Sequence, residues 1–176
     1  MKLIELHILQ SFPVSCLNRD DVGSPKSATF GGVQRARISS QSLKRAVRVL
    51  ARGESDGFQG IRSRFLLEPF TKALTDAGVT EGAAEKAKLI CEAFSKVDAK
   101  KPDQVTTAVY LSPAEIQQIA TAVAGGEDPK KAIKKVDRLD AADIALFGRM
   151  VANDATLNVE GAAMFSHALS THAASN

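Results

Sequence analysis

The feature that most constrains the fold is a helix written into residues 39–53. Ser39 or Ser40 can cap it, because a serine oxygen accepts a free N–H of the first turn, and Leu43, Ala46, Val47 and Leu50 then recur at helical spacing. At about 100° per residue these four share one face, while Gln41, Lys44, Arg45, Arg48 and Arg52 fall on the opposite one. Gly53 is a natural stop, since glycine tolerates the backbone conformation in which helices end.

On either side of that helix the pattern changes. Leu3 to Phe12 is rich in aliphatic residues with Glu5, His7 and Gln10 among them, which predicts a largely buried strand ended by Pro13. Ser15 to Gly32 collects Asn18, Asp20, Asp21, Gly23, Pro25, Gly31 and Gly32, a density of turn formers that predicts a long exposed loop. From Phe58 to about Asp137 the chain turns to Ala, Lys and Glu at helical spacing, broken by Gly78, Pro102, a Ser112-Pro113 helix start and the Gly125-Gly126 pair. That stretch reads as a small helical insertion. Residues 143–150 and 162–172 are short and apolar enough for strands or helices, and periodicity does not separate the two. A length of 176 residues with 44% hydrophobic content suits one domain, or one domain carrying an insertion.

Cys16 and Cys91 form no CxxC pair, so a disulfide framework or a cysteine zinc site is not expected, and both read as inert fillers in a reducing compartment. The start Met1 to His7 has no signal-peptide apolar stretch, and no run of about 18 apolar residues follows; the expectation is a cytoplasmic protein with no membrane partner.

Charge is the informative quantity. Between Asp21 and Glu54 stand Lys26, Arg35, Arg37, Lys44, Arg45, Arg48 and Arg52, with no acidic residue, although the whole chain carries only +3. Where signs are interspersed, seven alike in a row arise about once in a hundred such runs. A solvated basic face is the plain explanation. The functional one is a phosphate track: Arg and Lys neutralise phosphates, and a serine-capped helix start adds free N–H groups and a positive dipole end for the same oxygens. One Tyr and no Trp argue against a stacking surface, so backbone tracking without sequence preference fits better than base reading.

Other constellations are weaker. Asp20 and Asp21 could hold a metal or activate a nucleophile, but an acidic pair in a loop is more often a turn. His167 and His172 are five apart, a spacing that suits neither a helix face nor one strand face, so no metal site is expected. Gly31-Gly32 is not followed by GxxxxGK[ST] or GxGxxG, which leaves nucleotide hydrolysis unsupported.

Several stretches nevertheless resemble one family. Ser15-Cys16-Leu17-Asn18-Arg19-Asp20-Asp21, Phe30-Gly31-Gly32, and Arg37 through Ala46 (RISSQSLKRA) are similar to landmarks of the CasC family, the guide-lining subunit of the type I-E CRISPR complex Cascade. Asp143 to Met150 (DIALFGRM) and His167 to His172 (HALSTH) resemble the next landmarks, in the same order.

The resemblance implies an α+β fold: a partial ferredoxin-like (RRM-like) palm over 1–57 and 138–176, with an inserted helical domain over 58–137. It makes both ambiguous late segments strands and places a thumb loop after the HALSTH-like segment. It implies an antiviral-defence subunit that does not cut and that needs no metal or cofactor. The partners implied are guide RNA (crRNA), target DNA through the guide, other copies of the chain and other Cascade subunits. Guide-backbone contacts are implied for Ser39, Ser40, Gln41, Lys44 and Arg45, with Arg48 one turn further and Lys26 and Arg19 from the loop. Arg149 and Met150 resemble a GRM element in which methionine near the bases acts as an apolar wedge.

Family members continue roughly as long again, which places the thumb, the second palm helix and the last strand beyond Asn176. Residues 1–176 are therefore expected to bind RNA weakly and not to form the regular filament. The rival reading is a metal-dependent ribonuclease, because related backbone subunits of other CRISPR effectors cut RNA with a loop aspartate, here Asp20 or Asp21. A third reading is a partner-binding module with no RNA role.

Overall fold

In the computed structural model, which describes residues 2–137, 141–151 and 154–174, short antiparallel strands are interleaved with six helices. In chain order these are β1 (Ser27–Phe30), β2 (Val33–Ile38), α1 (Ser40–Glu54), β3 (Ile61–Ser63), α2 (Leu67–Asp76), α3 (Ala83–Phe94), β4 (Val97–Asp98), β5 (Lys101–Val105), β6 (Val109–Leu111), α4 (Pro113–Ala124), α5 (Pro129–Lys135), α6 (Ala142–Phe147) and β7 (Ala168–Leu169). The fold class is α+β. Backbone packing divides the chain into residues 2–45 with 165–174 and residues 46–164.

The first unit is built on a three-stranded antiparallel sheet in the order β1-β2-β7. Gly31 and Gly32 join β1 to β2 as a two-residue turn with φ of +63° and +76°, a conformation that suits the twist of a hairpin and that glycine adopts without strain. The turn-rich stretch from Ser15 is thus a loop only as far as Lys26. β7 pairs Leu169 with Arg37 and Ala168 with Ile38, so the strand expected over 162–172 is reduced to two residues. The complete ferredoxin-like order does not form among the described residues.

Leu3 to Phe12 corrects the expectation of a buried strand. No ladder pairs it, and the aliphatic side chains from Leu3 to Leu9 are 76–89% exposed. An aliphatic run becomes a strand only where another strand takes its N–H and C=O groups, and none among the described residues does.

The second unit holds the core. Phe70 and Leu74 of α2, Ile90 and Phe94 of α3, Ile119 of α4 and Ile133 of α5 are buried together, with the Phe70 and Phe94 rings stacked at 6.0 Å. Full burial of such a side chain contributes about 1.5–3 kcal/mol each, which makes this cluster the main apolar stabilisation. α4 begins at the expected Ser112-Pro113 start: the Ser112 hydroxyl accepts from Glu115 N at 3.0 Å, and the Ser112 amide donates back to the Glu115 carboxylate at 2.9 Å. The helical stretch from 58 is therefore real, with the β3–β6 and β4–β5 pairs added between its helices.

Residues 142–147 are a helix, contrary to the strand expected for the DIALFGRM segment. Asp143, Ile144 and Phe147 are buried together, the i, i+1, i+4 pattern of one helix face. Gly148 ends the helix at φ +74°, where a Cβ would stand 2.7 Å from Val159 O. Only glycine lets that backbone approach so closely.

α1 spans the expected residues, but its apolar stripe is not covered. No residue of the helix is fully buried, and Leu50 is 71% exposed. Among the described residues no helix is long and apolar enough to cross a membrane.

Candidate nucleic-acid interface

The helix start in the first unit is held from three directions. Asn18 Oδ1 accepts from Ser39 N at 2.9 Å, Ser39 Oγ accepts from Ser42 N at 3.3 Å, and His167 Nδ1 accepts from Ser40 N at 2.9 Å. A helix opens with amides that have no partner inside it, and here the side chains take two of the first three. The Gln41 N–H alone among those three has no partner among the described residues. Ser39 is buried and caps the helix, which makes it a residue that positions the helix start. Ser40 is half-buried, its hydroxyl 3.4 Å from the Gln41 side chain, and Gln41 is exposed.

Basic residues flank that start along the backbone. The backbone of Asn18 accepts from Lys26 N at 2.9 Å while its side chain holds Ser39, so a single asparagine ties Lys26 to the helix. Arg37 N donates to Lys26 O at 2.9 Å, which sets Arg37 beside it. Lys44 Nζ lies 5.8 Å from the centroid of the Phe165 ring, and Arg45 is exposed. None of Lys26, Arg37, Lys44 and Arg45 forms an ion pair among the described residues, and the Arg37 Nε is buried without a hydrogen-bond partner.

Arg35 is used internally, donating to Phe30 O, Ser170 O and Thr171 O at 2.7–3.0 Å. Arg19 is exposed and donates to Gly23 O at 2.6 Å, which braces the loop that presents Lys26. Asp20 is a turn former: its Oδ1 accepts from Val22 N at 3.0 Å and Ser24 N at 2.8 Å.

In the second unit two expected contacts turn inward. Arg149 Nη1 donates to Glu115 at 2.7 and 2.9 Å and to Tyr110 O at 2.9 Å, with the two side chains only 2% and 0% exposed. Arg149 is therefore a buried cation spent on Glu115 and the Tyr110 carbonyl. Arg48 lies with its guanidinium 4.7 Å from the Phe147 ring centroid and 5.1 Å from that of Tyr110, and its Nε is buried. It too faces protein, because a cation over two ring faces is attracted by their electron density. Met150 is 82% exposed.

A family model described as CT1975-like protein matches residues 4–176. The chain belongs to the CT1975-like family. Two solved structures resemble this CT1975-like chain, each with a TM-score of 0.63. One is a chain of a CRISPR RNA-guided surveillance complex, 27% identical, with 93% of this chain and 57% of that one covered. The other belongs to such a complex in a pre-nicking state, 28% identical, with 89% and 49% covered. The CT1975-like chain thus spans about half the length of the chains it matches. No curated protein sequence matches it.

Sequence reasoning on the CT1975-like chain missed Asn18 and His167 as the groups that hold the helix start. Asn18 carried a signal, since asparagine in a turn-rich loop often bonds backbone amides. His167 carried none, because its partner lies far away in the chain.

Proposed function

We propose that this CT1975-like chain is a non-catalytic, CasC-like subunit of a type I-E, Cascade-type CRISPR surveillance complex, and that it holds the backbone of a guide RNA. The observation that carries the reading is the set of cations without ion pairs among the described residues, Lys26, Lys44 and Arg45, which with Arg37 flank a helix start whose Gln41 amide has no partner among those residues. Each can neutralise a phosphate and release its counterions, and the amide adds a directed donor at the positive end of α1.

Arg19 contributes through the loop, and Ser40 and Gln41 offer polar side chains at the same helix start. Contacts of this kind grip phosphate and ribose without reading bases, which leaves the guide free to pair with target DNA. Met150 serves as the apolar wedge near the bases. The neighbours with solved structures are RNA-guided complexes, which supports guide RNA, further copies of the chain and other complex subunits as partners. The cytoplasm, where such a guide would be met, is the proposed location.

The test is co-purification. Expressed with and without the other complex subunits and a guide locus, the chain should retain nuclease-sensitive RNA that high salt removes. A preparation free of RNA in both settings would overturn the reading in favour of a partner-binding module.

A further inference from the structure

A second polar cluster, in residues 46–164, contains two buried polar atoms of opposite character that lack partners among the described residues. The Tyr110 hydroxyl donates to Asp143 Oδ2 at 2.5 Å, and Asp143 is fully buried with its Oδ1 unpaired. Arg48, stacked over Tyr110 and Phe147, has its Nε buried and unpaired. Arg52 donates to Gly60 O, and the Gly60 backbone closes on the acid so tightly that a Cβ there would stand 2.5 Å from Tyr110 Cε1 and 2.7 Å from Asp143 Oδ2.

A buried carboxylate is tolerated when cations and donors surround it. Here Tyr110 links the acid to Arg48, and the Gly60 backbone links it to Arg52, both arginines coming from the second half of α1. We infer that Asp143, together with Tyr110, is a positioning residue that holds Arg48 and Arg52 against the protein and thereby ends the phosphate track at Arg45. This rests on the guide-RNA reading for its consequence, though not for its geometry. A guanidinium held over two rings with its Nε buried cannot also sit on a solvent-exposed phosphate, so Asp143, through Tyr110, sets how many cations of the helix RNA can use.

The experiment measures binding of labelled mixed-sequence single-stranded RNA to the full 176-residue chain across a salt series, with a melting midpoint for each variant. Arg48→Ala should leave the salt slope unchanged and lower the midpoint by several degrees. Asp143→Asn should release a cation, steepening the slope by about 0.7 and raising affinity about fivefold at 0.1 M salt. Tyr110→Phe, which keeps the ring under Arg48 and is the milder change should Asp143→Asn not fold, should move both quantities the same way by less.

A slope reduced by Arg48→Ala at an unchanged midpoint, or a slope that neither other variant steepens, would overturn the proposal. If the wild-type chain binds no RNA, the guide reading fails alone. The positioning is then judged by the midpoint of Arg48→Ala and by the phenol absorbance of Tyr110, whose titration should fall to lower pH in Asp143→Asn. An unchanged midpoint and an unchanged titration would overturn it.

Discussion

Arg149 and Glu115 form an ion pair at 2.7 Å with both side chains sealed from solvent, and the same Glu115 carboxylate closes the capping box of α4. One residue thus joins a helix cap to a buried cation. Removing one member of such a pair leaves the other buried without compensation, which costs about 3–5 kcal/mol. Glu115→Ala should lower stability by that amount in urea denaturation, and a loss under about 1 kcal/mol, the value of an exposed pair, would show that the guanidinium escapes to water.

Tyr110 is the only tyrosine and there is no tryptophan, so phenol absorbance reports on one group. Burial, then the hydrogen bond to Asp143 and that residue's charge, push its pKa up from 10.0 to about 12. A folded pKa above the unfolded one means that the folded state holds the proton more tightly, so this stabilisation is complete below pH 10 and is lost between pH 10 and about 12. The titration midpoint should lie near the upper value in the native protein. Melting temperature should fall more steeply over that window in the wild type than in Tyr110→Phe.

Gly148 stands where α6 ends, at φ +74°, with Val159 O and Gly161 N within 2.9 Å of any added Cβ. Gly148→Ala meets both a disfavoured backbone conformation and a clash with backbone that cannot swing away. A loss of about 1–3 kcal/mol is expected in thermal or urea unfolding.

Asp20 spends one carboxylate oxygen on the amides of Val22 and Ser24, which is a turn's use of an acid. Asp20→Ala should loosen the loop that presents Lys26 and weaken RNA binding a few-fold, while Asp21→Ala should leave it unchanged. Incubation of the guide-loaded complex with labelled complementary RNA and Mg²⁺ should give no cleavage. Cleavage that disappears in either variant would favour a ribonuclease instead.

How far the sequence could be read follows from where each signal lives. Helix α1 and the start of α4 were legible because a serine cap and helical spacing are local. The 143–150 segment was not, since six residues are too short for periodicity to tell a helix from a strand, and its burial beside Gly57 and Tyr110 depends on distant partners. Arg48 and Arg149 looked like surface cations for the same reason: Tyr110, Phe147 and Glu115, which draw them inward, stand far along the chain. Lys26, Lys44 and Arg45 form no ion pair among the described residues, as suits a stretch of chain that carries no acid between Asp21 and Glu54.

The most direct measurement is the salt dependence of single-stranded RNA binding by Lys44→Ala/Arg45→Ala compared with the wild type. Neither side chain is fully buried and neither forms an ion pair among the described residues, so the melting midpoint should barely move. Two lost phosphate contacts should flatten the slope of log K against log salt by about 1.4, at about 0.7 for each contact on a single strand. A slope and affinity equal to the wild type's would contradict the phosphate track.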